Sequence, residues 1–211
     1  MDSASDILTL PDEKILEIGH QLRVAYKLKT TLRYWGSRDL SVHGESVAEH
    51  VFALLYLAQY FLPLEDVAGK LDKARVYEIL LFHDFGEIIN GDIPYHFKTP
   101  ADEAREIKDA ESVFESLPKP LGEFGRSRWE EYEHRETPEG RFVYALDKIE
   151  PVFELLDPIT EKTMRRTKVT FAMHIGKKIK ATEGYPVMRR FVDVLGDDMN
   201  RRGIFWSEGE M

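Results

Sequence analysis

The chain has 211 residues, 43% of them hydrophobic and 32% charged, which is enough to bury a core and too apolar for a disordered chain. It has no cysteine, which excludes a disulfide framework, a zinc–thiolate site and a thiol nucleophile; any metal would take nitrogen and oxygen ligands. A net charge of −9 argues against a nucleic-acid polymer as partner, although a local cationic pocket could still hold a small anion.

The N-terminal stretch MDSASDILTLPDEK lacks a basic segment followed by an apolar run, so no signal peptide is expected. No segment is read as a membrane span, and the expected location is the cytoplasm. After Pro11, apolar residues recur with helical period at Ile15, Ile18, Leu22, Ala25 and Leu28. Ser46 and Glu49 have capping-box spacing at the head of a helix whose stripe is Val47, Val51, Leu54, Leu55 and Ala58. The run from Val76 to Ile89 is apolar on nearly all sides, the signature of a buried central helix.

Ala101 to Leu117 is charged and amphipathic, hence peripheral. Pro118 and Pro120 break the chain before a short helix around GRSRWEEYEHRE, whose glutamates, with Glu111 and Glu115, suit solvated faces. Pro138 can open a helix with Phe142, Val143, Leu146, Ile149 and Phe153 inward, which Pro151 is expected to kink or end. From Arg165 to Leu195 the pattern suits two helices parted by Gly184, Tyr185 and Pro186. The expected fold is all-α, a bundle of about six to eight helices in a single domain over 1–211.

Chemistry is suggested where ionisable residues interrupt apolar stripes. His83 and Asp84 are flanked by Ile79, Leu80, Leu81, Phe82 and Phe85, and a helix buried on that scale cannot leave a carboxylate uncompensated. On one continuous helix, Glu87 would share a patch of surface with both. His50 falls inside the stripe of its own helix, between Val47 and Leu54, and Asp147 does likewise near Val143 and Leu146. A single buried histidine is more often a hydrogen-bonded core residue, and an aspartate beside an apolar face commonly caps a helix or pairs with a lysine such as Lys148. Four such residues in this order, on three helices, favour one shared divalent cation.

The order His50, His83–Asp84, Asp147 resembles the signature of the HD-domain phosphohydrolases. In more detail it is similar to the YfbR-like 5′-deoxynucleotidases, in three elements: Ser46-Val47-Ala48-Glu49-His50; His83-Asp84-Phe85-Gly86-Glu87 followed by Gly91-Asp92-Ile93-Pro94; and Arg33-Tyr34-Trp35. The resemblance covers about 27–156, and the remainder, about 158–211, reads as a C-terminal helical extension without a counterpart. In that family the Trp adjoins the Arg, whereas Tyr34 intervenes here.

The resemblance implies an HD-type helical fold, often dimeric, with one divalent metal such as Co or Mn. It implies His50, His83, Asp84 and Asp147 as ligands and a catalytic role for Glu87, which is placed to protonate the leaving alkoxide or steer a water. Asp92 would position water or sugar, Arg33 and Lys98 would contact the phosphate, and Trp35 would pack on the nucleoside. The activity implied is hydrolysis of deoxyribonucleoside 5′-monophosphates. Two other readings stay open: a related phosphohydrolase acting on nucleoside triphosphates or another small phosphoester, and a non-catalytic helical module with a structural metal.

Overall fold

The computed structural model describes residues 4–22, 46–90, 93, 96–117, 119–156 and 162–207. Within them the helices are α1 (Ala4–Thr9), α2 (Asp12–Leu22), α3 (Val47–Glu65), α4 (Lys73–Phe82), α5 (Glu87–Asn90), α6 (Pro100–Ser116), α7 (Lys119–His134), α8 (Pro138–Glu154), α9 (Lys162–Arg166), α10 (Phe171–Ala181) and α11 (Pro186–Arg201). No described residue lies in a strand, so the expected all-α class holds, with eight helices of ten residues or more among the described residues. The chain divides into two compact units, 1–68 with 145–211, and 69–144, the division falling inside α8.

In the first unit α11 is the central element, packed against α1, α2, α3 and α10. Its Phe191 meets Phe61 of α3 and Phe153 of α8 with ring centroids 5.2 and 5.9 Å apart, an aromatic cluster at the middle of this core. A Cβ on Gly196 would come within 2.8 Å of Ile175 Cδ1, so α10 and α11 approach closely because that position has no side chain. Tyr185 gives α11 no side-chain cap; instead Glu65, at the end of α3, accepts the Met188 N–H at 2.7 Å. The capping box at α3 forms as its spacing suggests: Ser46 Oγ accepts the Glu49 N–H at 3.2 Å, and Glu49 Oε2 accepts the Ser46 N–H at 2.8 Å.

α3 is also the one helix among the described residues long and apolar enough to cross a membrane by length and hydropathy, which the pattern of its sequence did not suggest. It carries Glu49 and His50 in its first turns and buries Leu54, Leu57, Phe61 and Leu62 in the core of this unit. Pro151 does not end its helix: α8 runs on to Glu154, and the Leu155 N–H still bonds the Pro151 carbonyl. The cost is one missing donor inside the helix, which the packing of Val152 and Phe153 outweighs.

In the second unit α6 and α7 pack together, α7 against α4 and α6 against α5. Phe82, Ala110, Phe114 and Trp129 form the core, with Phe85 stacked on Phe114 at 5.8 Å. The peripheral reading of α6 holds for its charged face, while Ala110, Val113 and Phe114 are buried. Pro120 sits in the first turn of α7 and does not break it. Glu131 differs from the solvated face expected of it: it pairs with both Arg75 and Arg128 and accepts from Thr137. Burial opposes its ionisation, but the Arg75 hydrogen bond and the two guanidinium charges hold its carboxyl below the usual range.

The expected continuous helix from Val76 to Ile89 is in fact interrupted. α4 ends at Phe82 with His83 as its C-cap, a turn follows through Gly86, and α5 begins at Glu87. Leu81, Ile88 and Ile89 are exposed, so the run is not buried all round. Gly86 makes the turn possible, because a Cβ there would lie 2.9 Å from Glu106 Cγ, 3.1 Å from the Glu106 carbonyl and 3.4 Å from Ala110 Cβ.

Candidate metal centre

His83 is held at the end of α4 with its ring buried and edge-on to Tyr132, centroids 5.1 Å apart. Its Nδ1 lies 2.9 Å from the Leu80 carbonyl, which can only accept, so Nδ1 carries the proton. Its Nε2 lies 3.1 Å from Asp84 Oδ2. Two acceptors at that distance repel unless a proton or a cation compensates them, and the neutral Nδ1–H tautomer is the form in which histidine ligates metal through Nε2. Glu87 starts α5 half-buried, its N–H bonded to the Asp84 carbonyl at 3.0 Å. The tight turn, not a shared helical face, keeps it beside Asp84.

The first unit holds a similar arrangement. His50 of α3 faces two carboxylates of α8: Nε2 is 3.3 Å from Asp147 Oδ1, and Nδ1 is 3.3 Å from Glu150 Oε2. The second oxygen of Asp147 pairs with Lys148. Lys178 and His174 of α10 are buried in the same unit, with Lys178 Nζ 3.3 Å from the His174 carbonyl. Desolvation, helped by the nearby Lys148 charge, pushes the Lys178 ammonium down to about 7, against the attraction of Asp147 and Glu150.

The structure thus brings His50 to Asp147 and His83 to Asp84. In each pair a protein acceptor faces Nδ1 and an aspartate oxygen faces Nε2. This donor set suits a divalent cation of borderline hardness. Arg33, Trp35 and Asp92 lie outside the described residues. Lys98 is described, and its ammonium pairs with Glu106 of α6. Glu150 was not anticipated; its signal was a carboxylate three residues after Asp147, on the same inward stripe as Leu146 and Ile149.

A family model described as an HD domain matches residues 25–189, a span that includes all four expected ligands. The chain belongs to the HD-domain family. The 5′-deoxynucleotidase HDDC2 of Bos taurus is 31% identical over 157 residues, covering 73% of this chain and 74% of the relative. The 5′-deoxynucleotidase hdd1 of Schizosaccharomyces pombe is 28% identical over 200 residues, 92% of this chain and 94% of the relative. Among solved structures, a predicted metal-dependent phosphohydrolase from Magnetospirillum magnetotacticum MS-1 superposes with a TM-score of 0.68 at 30% identity, covering 91% of this chain and 96% of that one. The last two matches extend the likeness of this HD-domain chain well beyond the motifs legible in its sequence.

Proposed function

We propose that this HD-domain protein is a 5′-deoxynucleotidase that hydrolyses deoxyribonucleoside 5′-monophosphates to deoxynucleosides and phosphate. It is a metal-dependent hydrolase. The substrate follows the relatives named 5′-deoxynucleotidase, two of which align over most of their own length. The observation that carries the reading is the repeated histidine–aspartate geometry: in each imidazole a protein acceptor lies near Nδ1 and an aspartate oxygen lies near Nε2.

In this reading His50, His83, Asp84 and Asp147 share one divalent cation, Co or Mn. When bound, such an ion supplies Lewis acidity and charge neutralisation for phosphoester hydrolysis. Glu87, whose turn is fixed through Gly86, holds the proton that passes to the departing 5′ oxygen as its bond to phosphorus breaks and a water oxygen bonds to phosphorus in its place, the water's proton restoring Glu87. Lys98 and Arg33 bind the phosphate oxygens, Lys98 exchanging its pairing with Glu106 for the substrate. Trp35 packs on the nucleoside and Asp92 orients sugar or water. The protein acts in the cytoplasm as a homodimer.

The test is a panel of deoxyribonucleoside and ribonucleoside mono- and triphosphates with Co or Mn. The reading predicts phosphate from the deoxyribonucleoside monophosphates. No phosphate from any monophosphate would remove it, and triphosphate as product from a deoxynucleoside triphosphate would replace it.

A further inference from the structure

Glu150 is one of the most buried carboxylates among the described residues, 1% exposed, and lies one turn beyond Asp147 on α8. A carboxylate sealed to that degree is costly unless its oxygens are engaged. One of them, Oε2, stands 3.3 Å from His50 Nδ1. The other carboxylate on the same ring, Asp147, is the more accessible of the two, with 11% of its side chain exposed, and it faces Nε2. The two acids on one imidazole are therefore not equivalent. The accessible one can meet an ion; the sealed one can meet only the ring and its buried neighbours. His83 provides the parallel, with the Leu80 carbonyl in the place Glu150 takes for His50.

We infer that Glu150 is the positioning residue of His50: its carboxylate accepts the Nδ1–H, fixes that tautomer and ring orientation, and leaves the Nε2 lone pair on the Asp147 side. This rests on the metal-dependent reading above. Carboxylate–histidine–metal relays of this kind raise the basicity of the ligating nitrogen and restrict its rotation, and losing the outer group typically weakens metal binding by about 10–100-fold. Lys178 supplies a control, because it lies within electrostatic reach of Glu150 and Asp147 without replacing either contact to His50.

The experiment compares the full-length parent with Glu150→Leu, which removes the acceptor, and Glu150→Asp, which retracts it by one methylene and keeps its charge. The second variant serves if the first fails to fold. Two readouts are taken: the Co²⁺ concentration for half-saturation, by calorimetric titration, and the His50 tautomer, by ¹H–¹⁵N correlation in metal-free protein. The expected result is a rise of about 10-fold or more in half-saturating Co²⁺, with His50 moving from the Nδ1–H towards the Nε2–H form. Lys178→Met should retain the Nδ1–H form and bind Co²⁺ at least as tightly as the parent, since it removes a competing positive charge. Parent-like affinity and tautomer in the folded Glu150 variants would overturn the inference and leave the metal-dependent reading standing. An equal loss in Lys178→Met would also overturn it, by tracing the effect to buried charge in general. A parent that takes up neither Co²⁺ nor Mn²⁺ would instead overturn the metal-dependent reading itself.

Discussion

His83 Nδ1 lies 2.9 Å from the carbonyl of Leu80, one turn back on α4, while its Nε2 lies 3.1 Å from Asp84 Oδ2. The carbonyl holds a proton on Nδ1, so Nε2 and the carboxylate that faces it require either a second ring proton or a cation between them. Asp84→Ala removes one of the proposed ligands and leaves the histidine in place. Its metal content, by elemental analysis after dialysis, should fall to background, and phosphatase activity should vanish with it. Retention of stoichiometric metal would show that Asp84 is not a ligand.

Glu87 begins α5 immediately after the turn that carries His83 and Asp84, and its N–H bonds the Asp84 carbonyl, so its backbone is tied to that turn. Glu87→Ala should keep its metal and its helical circular dichroism, while turnover falls about 10²-fold or more, as for loss of a general acid. Steady-state kinetics with metal analysis on the same preparation check both halves. Parent-like turnover would remove Glu87 from the chemistry.

Gly86 is packed so closely that an added Cβ meets the Glu106 backbone carbonyl as well as its side chain. Backbone cannot swing aside as a side-chain end can. Gly86→Ala should therefore lose about 1–3 kcal/mol of stability, an overpacking cost, and should displace the turn between Asp84 and Glu87. Urea denaturation measures the first effect and turnover the second.

Glu65 caps α11 from the end of α3, and desolvation outweighs the Met188 and Val187 N–H contacts to raise its pKa from 4.5 to about 7. A carboxyl that is harder to ionise in the folded state makes its contribution in full below the unfolded value, and that contribution is lost as pH rises from 4.5 to 7. Glu65→Gln keeps an acceptor for the α11 amides but cannot ionise. Unfolding stability measured across this range should decline less steeply with pH in Glu65→Gln than in the parent; identical slopes would contradict the assignment.

How much of this was legible in the sequence depended on whether a residue broke a pattern. Ser46 and Glu49 announced the start of α3 because capping is local chemistry, and the box formed. His50, His83, Asp84 and Asp147 stood out because ionisable groups on apolar stripes require compensation. The break at His83 did not stand out: no proline marks it, and the apolar run continues through Phe85 and Ile88 on both sides of the turn. What creates the break is tertiary, the seat of Gly86 on α6. Glu150 was missed although it shares the inward stripe of Leu146 and Ile149, since a glutamate on a helix is usually solvated and the packing of α8 is what shows its burial. Pro151, read as a kink or an end, does not end the helix, because the hydrophobic face on either side of it holds α8 together as far as Glu154.

The claim on which the rest depends is that His50, His83, Asp84 and Asp147 serve one ion. The most direct measurement is metal stoichiometry by elemental analysis in the parent, His50→Ala and His83→Ala, each equilibrated with the same low concentration of Co²⁺. The account predicts about one ion per chain in the parent and near zero in both variants, because each removes one of the four proposed ligands. Two ions in the parent, with one surviving in each variant, would contradict it, and so would a parent that binds none.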